Sequence, residues 1–312
     1  MNWTRPAWVG WDAQVSSDTE TDVFTDVFEE HRPLLMGVAY RMLGRVADAE
    51  DVVQDAWLRW SRADRAEVRE PGAYLVRIAT RLAIDRLRQV QARGESYVGP
   101  WLPEPYLGAS GDTAPDAADR VLLADSVSFA VLVVLESLSP LERAVFVLRE
   151  AFGYPFAEIA ALLDRGEPAV RQLAGRARRH VDERRTRYDV DPAQRRAVTE
   201  RFLDAASDGD LDALMSLLAP DVRLVGDSGG KAKAPSRIVH TADKVGRFLA
   251  AVVPGTWETM SYRFVEANGG PAVLILDGDR PDSLFQLEIT DGRVTTVYIV
   301  RNPDKLRHLA TG

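Results

Sequence analysis

Arg171, Gln172, Arg176 and Arg179 recur at spacings that expose them together along one helix, and their side chains are those that read DNA. A guanidinium fork matches the guanine edge or a phosphate, and a carboxamide matches adenine, although most contacts in such interfaces go to phosphate. Arg165 adds a cation just before the helix. Between Arg165 and Arg187 eight Arg face only Glu167, Asp182 and Glu183, in a chain whose formal net charge is -8. A basic island in an acidic protein indicates a polyanion site on one surface.

The elements that must position these side chains lie directly upstream. Ser139, Pro140 and Glu142 make a helix start: a hydroxyl at the N-cap, Pro at the first helical position and Glu reaching back from the third. Leu141, Val145 and Leu148 share the face such a helix buries. Pro155 opens a second helix with Phe156, Ile159, Ala160 and Leu163 on one side. Asp164-Arg165-Gly166 supplies the turn, with Gly166 expected to take the positive φ. The third helix starts near Glu167 and buries Val170, Leu173 and Ala177. This is a helix-turn-helix.

Other chemistries are bounded by composition. There is no Cys, so thiolate metal sites and thiol nucleophiles are excluded. His31, His180, His240 and His308 are scattered without ligand spacing. No metal and no cofactor is expected. No apolar run reaches the length of a membrane span, and the N-terminal stretch lacks a signal peptide's basic-then-apolar order. A cytoplasmic protein without a membrane partner is the expectation.

Composition divides the 312 residues into a tail with Trp3, Trp8 and Trp11 (1–20), a helical region (21–93), a Pro-rich linker (94–119), a second helical region (120–188) and a C-terminal region (193–312). In the first helical region Phe24, Phe28, Leu35, Val38, Ala39 and Met42 predict one helix, ended by Gly44. Asp48 to Trp60 predict a second whose early turns are acidic, as the helix dipole favours. A third follows Pro71-Gly72. The linker holds Pro100, Pro103, Pro105 and Pro115, yet Tyr97, Trp101, Leu102, Tyr106 and Leu107 make it too apolar for a free tether; it should lie on a neighbouring surface. The C-terminal region predicts helices followed by strands at 221–225, 259–266, 272–276, 283–290 and 294–300. Asn268-Gly269-Gly270 and Asp291-Gly292 are hairpin turns. Helices first and a curled antiparallel sheet after make an α+β domain.

AEDVVQDAWLRW (49–60), PGAYLVRIATRLAIDRLRQ (71–89) and the helix-turn-helix, in this order, resemble a bacterial sigma factor of the extracytoplasmic-function class, which keeps only the second and fourth sigma domains. YVGPWLPEP (97–105), GDSGGK (226–231) and NPDKL (302–306) are similar to signatures of the members carrying a SnoaL-like C-terminal domain. Here Ser228 replaces the first Gly of the usual glycine motif. The resemblance implies a multidomain fold: two all-α sigma domains, the second with the helix-turn-helix, followed by a cone-shaped α+β barrel. It implies no enzyme activity. The partners it implies are the β and β′ subunits of core RNA polymerase and promoter DNA, with the barrel regulating in cis instead of a separate anti-sigma factor.

It also assigns residues. Asp48, Glu50, Asp51, Gln54, Asp55 and Trp57 match the helix that docks on polymerase, with Trp57 as an anchor. Tyr74, Arg77, Thr80, Arg81, Arg86 and Arg88 match the helix that melts and reads the −10 element. Arg165, Arg171, Gln172, Arg176 and Arg179 fall to the −35 element. Trp101, Leu102, Pro103, Glu104, Pro105, Asp227, Gly229, Gly230, Lys231, Asn302, Pro303 and Asp304 form the interdomain regulatory set. A helix-turn-helix regulator whose C-terminal domain senses a small molecule or carries an activity is the rival; the segment from Ala49 to Gln89 discriminates, because such a regulator has no use for a polymerase-docking helix. In an enzyme, Asp227, His240, Glu266, Asp277 and Glu288 would be the acid–base candidates.

Overall fold

The computed structural model describes residues 12–64, 68–93, 97–107, 128–184, 192–257 and 259–311. Trp3, Trp8 and Trp11, the second half of the linker with Pro115, and the boundary at 189–191 lie outside the described residues. Three helices come first: α1 (Asp12–Leu43), α2 (Val46–Trp60) and α3 (Pro71–Arg93). The first begins inside the segment expected as a tail, and Gly44, at φ +68°, ends it. On α2, Val46, Ala49, Val52, Val53, Ala56 and Trp60 recur on one side and are buried. Trp60 stacks on Phe24 at 4.1 Å and its indole nitrogen donates to the Phe24 carbonyl, which binds α2 to α1.

The second helical region holds α4 (Phe129–Leu135), α5 (Pro140–Phe146), a π-helical turn (Val147–Ala151), α6 (Phe156–Leu163) and α7 (Glu167–Arg184). The start predicted at Ser139 is a full capping box with Pro140 at the first position. The turn into α7 differs from expectation. Asp164, not Gly166, takes the left-handed conformation (φ 57°) and caps α6; short polar side chains tolerate it better than most.

The two helical regions share one continuous core. Phe28, Tyr40, Trp60, Leu75 and Ile84 from the first region cluster with Leu132, Val145, Leu148, Leu162 and Val170 from the second. At their junction lie two buried arginines. Arg41 donates to the Gly37 carbonyl and stands 5.0 Å from the Phe152 ring centre; burial pushes its guanidinium down to about 10. Arg143 donates to the Arg41 carbonyl at 3.2 Å and pairs with Glu136 at 2.6 Å.

The C-terminal region comprises α8 (Pro192–Ser207), α9 (Leu211–Leu217), β1 (Leu218–Asp227), β2 (Val239–His240), α10 (Ala242–Trp257), β3 (Ser261–Ala267), β4 (Gly270–Asp277), β5 (Arg280–Thr290), β6 (Arg293–Val300) and α11 (Pro303–Leu306), then a 3-10 turn at Arg307–Thr311. The sheet order is β2-β1-β6-β5-β4-β3; β1 and β6 run parallel and every other pair antiparallel. Asn268-Gly269 and Asp291-Gly292 have positive φ at both residues, as two-residue hairpins need. One sheet face packs Leu224, Leu287, Val297 and Ile299 against Phe202, Leu214, Val245 and Leu249 of the helices. The opposite face, with Leu274, Leu284, Tyr298 and Val300, is covered by Leu102, Phe129 and Leu306. The sheet's second face is therefore closed partly by residues from outside its own region.

Candidate functional site

Residues 97–107 run between α1 and the sheet, and their backbone is held from both sides. On the α1 side the Glu104 amide donates to the Gly44 carbonyl at 2.8 Å, and the Glu104 carboxylate accepts from the Val46 amide at 2.9 Å, capping α2. The Tyr40 hydroxyl donates to the Glu104 carbonyl at 2.6 Å and accepts from the Asn268 amide group, also at 2.6 Å. Burial pushes the Tyr40 phenol well above its ordinary value. Asn268 and Tyr106 exchange two further hydrogen bonds. One side chain of α1 and one hairpin residue of the sheet thus meet across the linker.

On the sheet side the centre is Asp227, fully buried at the end of β1. Its carboxylate accepts from the Leu102 amide (2.8 Å), the Tyr97 hydroxyl (2.5 Å), the Gly229 amide (3.1 Å) and the Lys305 ammonium (2.7 Å). Lys305 also donates to the Leu102 carbonyl and lies 4.0 Å from the Trp101 ring centre. Burial pushes the Lys305 ammonium below the ordinary lysine value, and Asp227 pulls against that shift. Asn302 caps α11 by accepting from the Asp304 amide, and donates to Tyr97 at 2.8 Å. Pro303 is exposed at the first position of α11. His308 places one ring nitrogen 3.0 Å from Glu104 and the other 2.8 Å from the Pro105 carbonyl. Pro103 and Pro105 are buried.

The glycine loop has a specific reason to be glycine. Gly229 sits at φ +56°, and a Cβ there would stand 2.5 Å from the Asn302 amide nitrogen and 3.0 Å from the Tyr97 hydroxyl. Gly230, at φ +75°, lies under Val98. Lys231 closes the loop by pairing with Asp304. The structure thus brings the three motif segments into one contact. Lys305, Tyr97, Tyr40, Asn268 and His308 were missed by the sequence reading. Lys305 and Tyr97 lie inside the quoted motifs; Asn268 was legible only as a turn residue, and Tyr40 and His308 carry no local signal of this contact.

The helical site residues divide less evenly. Glu50, Asp51, Gln54 and Asp55 are exposed on α2. Trp57, expected as the anchor, is half-buried and packs edge-on against Phe28 at 5.0 Å, with Leu58 exposed beside it in sequence. Asp48 pairs with Arg86 at 2.8 Å, joining a residue assigned to polymerase with one assigned to DNA. Thr80, assigned to the −10 element, is fully buried in the core face of α3. Arg77 is exposed, Arg88 pairs with Asp85, and Arg81 reaches Asp164 of the second region at 3.8 Å. Tyr74 and Arg77 line a cleft of about 270 Å³ whose other wall is Tyr154, Glu158, Ala161 and Leu162. On α7, Arg171, Gln172, Arg176 and Arg179 are all exposed, as is Arg165 before it.

Comparison with known proteins agrees with this layout. A model described as Sigma-70 region 2 matches residues 27–93, and one described as Sigma-70, region 4 matches 128–181. The ECF RNA polymerase sigma factor SigJ of Mycobacterium tuberculosis is 42% identical over 289 residues, covering 89% of this chain and 91% of that protein. A probable ECF RNA polymerase sigma factor, SigI of the same species, is 34% identical over 92% of this chain and 96% of its own. The crystal structure of the M. tuberculosis extracytoplasmic function sigma factor SigJ matches with a TM-score of 0.73 at 39% identity, covering 91% of this chain and 98% of that one.

Proposed function

The chain belongs to the extracytoplasmic-function RNA polymerase sigma factors, and we propose that its SnoaL-like domain holds it in a closed form that core polymerase must open. As an alternative sigma factor it binds core polymerase and directs initiation at specific promoters. Its place of work is then the cytoplasm; among the described residues no helix is long and apolar enough to cross a membrane.

The observation that carries the closed form is the shared core of the two helical regions. Elements named −10 and −35 lie roughly 25 base pairs apart, on the order of 85 Å of duplex at ~3.4 Å per step. Here α3 packs directly on α5 and α6, and Tyr74 and Arg77 face the second region across a cleft. Both elements cannot be read at that separation without pulling these helices apart. The linker locked between Gly44 and Asp227 supplies the restraint, and the barrel takes the place of a separate anti-sigma protein.

A regulatory barrel is favoured over a catalytic one by where its acid–base candidates lie. Among the described residues, one cleft between α10 and the sheet measures about 60 Å³. Asp227 is committed to the linker, Glu288 accepts from Tyr298, and His240, Glu266 and Asp277 are exposed on three different strands.

The test is transcription by purified core polymerase with the full chain, with Asp227→Ala and with a chain ending near residue 188. Promoter-dependent transcripts from the full chain, altered in rate by both changes, are the expected result. Identical transcription from all three forms would remove the cis-regulatory reading and leave the sigma role. The absence of any transcript or core binding would remove both.

A further inference from the structure

The −35 helix carries arginines in two different electrostatic states. Arg165 and Arg179 have no carboxylate partner among the described residues, whereas Arg171 is held on two sides. One oxygen of Glu167, the first residue of α7, accepts from both Nε (2.9 Å) and Nη2 (2.5 Å) of Arg171. The Phe156 ring, at the start of α6, lies 4.7 Å from the same guanidinium. Phe156 is itself packed by Arg149, 4.8 Å from its centre and anchored to the Tyr154 carbonyl. Arg171 nevertheless keeps 59% of its side chain exposed. Its side edge and one ring contact are therefore used, and among the described residues no hydrogen bond engages its Nη1.

Resting on the sigma-factor reading, we propose that Glu167 and Phe156 are positioning residues that present Arg171 to a single guanine of the −35 element. Two arguments separate this from an ordinary surface pair of residues four apart. First, an Arg whose charge is cancelled by an adjoining carboxylate is a poor phosphate ligand, because the carboxylate repels the phosphate too. A guanine edge carries no net charge and is matched by two parallel N–H groups, and the free Nη1/Nη2 edge provides these. Second, the first turns of a recognition helix are the part that enters the major groove, and Glu167 and Arg171 occupy them. Fixing the guanidinium before DNA arrives lowers the ordering cost of the contact. Arg165 and Arg179, without a carboxylate beside them among the described residues, suit phosphates. Arg176 differs again, since its partner Glu142 lies on α5, already engaged in the Ser139 capping box.

The experiment is in vitro transcription by holoenzyme containing the full-length chain, on a promoter library randomised across the −35 element, with transcripts sequenced. The variants are Arg171→Lys, Glu167→Gln, Phe156→Leu and Arg165→Gln. Wild type is expected to select guanine at one position on either strand. Arg171→Lys should flatten preference there by about tenfold or more, the size of one bidentate contact. Glu167→Gln and Phe156→Leu should flatten the same position by severalfold and leave the other positions unchanged, which loss of helix stability alone would not do. Arg165→Gln should lower output from all sequences without changing the profile. A uniform drop for Arg171→Lys would make it a phosphate contact and overturn the proposal. A flattened profile for Arg171→Lys alone, with Glu167→Gln and Phe156→Leu as wild type, would overturn the positioning role. If wild-type holoenzyme selects no promoter at all, it is the sigma reading that fails.

Discussion

Asp227–Lys305 and Asp48–Arg86 are carboxylate–cation pairs of nearly equal length, 2.7 and 2.8 Å, in opposite settings. The first has 0% and 3% of its side chains exposed; the second has 15% and 40%. Two ions taken out of water must find every partner inside the protein, and Asp227 does so with four donors, two of them from the linker. Such a pair cannot change partners cheaply, so it fixes the linker. The half-exposed pair can change partners more cheaply, because water covers the ion left behind. A lock and a replaceable contact use the same chemistry and differ in burial.

The comparison predicts unequal responses. Asp227→Ala strands a buried ammonium and frees the Leu102 amide, so thermal unfolding should show a loss of about 3–5 kcal/mol, with protease cutting near residues 97–107. Asp48→Asn should cost ~1 kcal/mol or less. Equal losses in the two variants would break the distinction. Next in size is Gly229→Ala, where a strained φ adds to the clash with Asn302, for about 2–3 kcal/mol. Tyr40→Phe comes third. It leaves the Glu104 carbonyl and the Asn268 amide group each short of a partner, for roughly 1–2 kcal/mol. Because Tyr40 belongs to α1 and Asn268 to the sheet, the variant should also raise hydrogen exchange on both sides of the linker. A change confined to one side would show that the two halves are not coupled there.

What was legible in the sequence follows from the range of the interaction. The Ser139 capping box and the Asn268-Gly269 and Asp291-Gly292 turns are decided within four residues, and they read correctly. The Ala272–Leu276 run reads correctly as a strand; it is apolar without alternation because both its faces are covered, the second partly by Leu102 and Phe129. Positive φ at Asp164 instead of Gly166 was not legible, since the preference for Gly is only statistical and the Asp cap is fixed by where α6 ends. Thr80 and Trp57 were placed by motif position, and burial depends on what packs against α3 and α1. The meeting of Tyr40 with Asn268, 228 residues apart, depends on the docking of whole regions and leaves no local trace.

The smallest predicted effect sharpens the contrast between lock and replaceable contact. Lys231 pairs with Asp304 at the rim of the glycine loop, with side chains 56% and 35% exposed. The hydrogen bond from Lys231, aided by Arg307, holds the Asp304 carboxyl below its ordinary value despite some burial. A carboxyl whose folded value lies below the unfolded value of about 3.9 adds stability above that pH and loses it as pH falls through the folded value. Lys231→Met should therefore cost a few tenths of a kcal/mol, at most ~1, near pH 6. That difference from wild type should shrink as pH is lowered from 4 toward 2, and also in 1 M salt, where the Debye length falls to about 3 Å. The loss in Asp227→Ala should hardly respond to salt, because its pair is out of water. A Lys231→Met difference that stays constant down to pH 2 would mean that the loop is stabilised by the packing of the Lys231 stem and not by its charge.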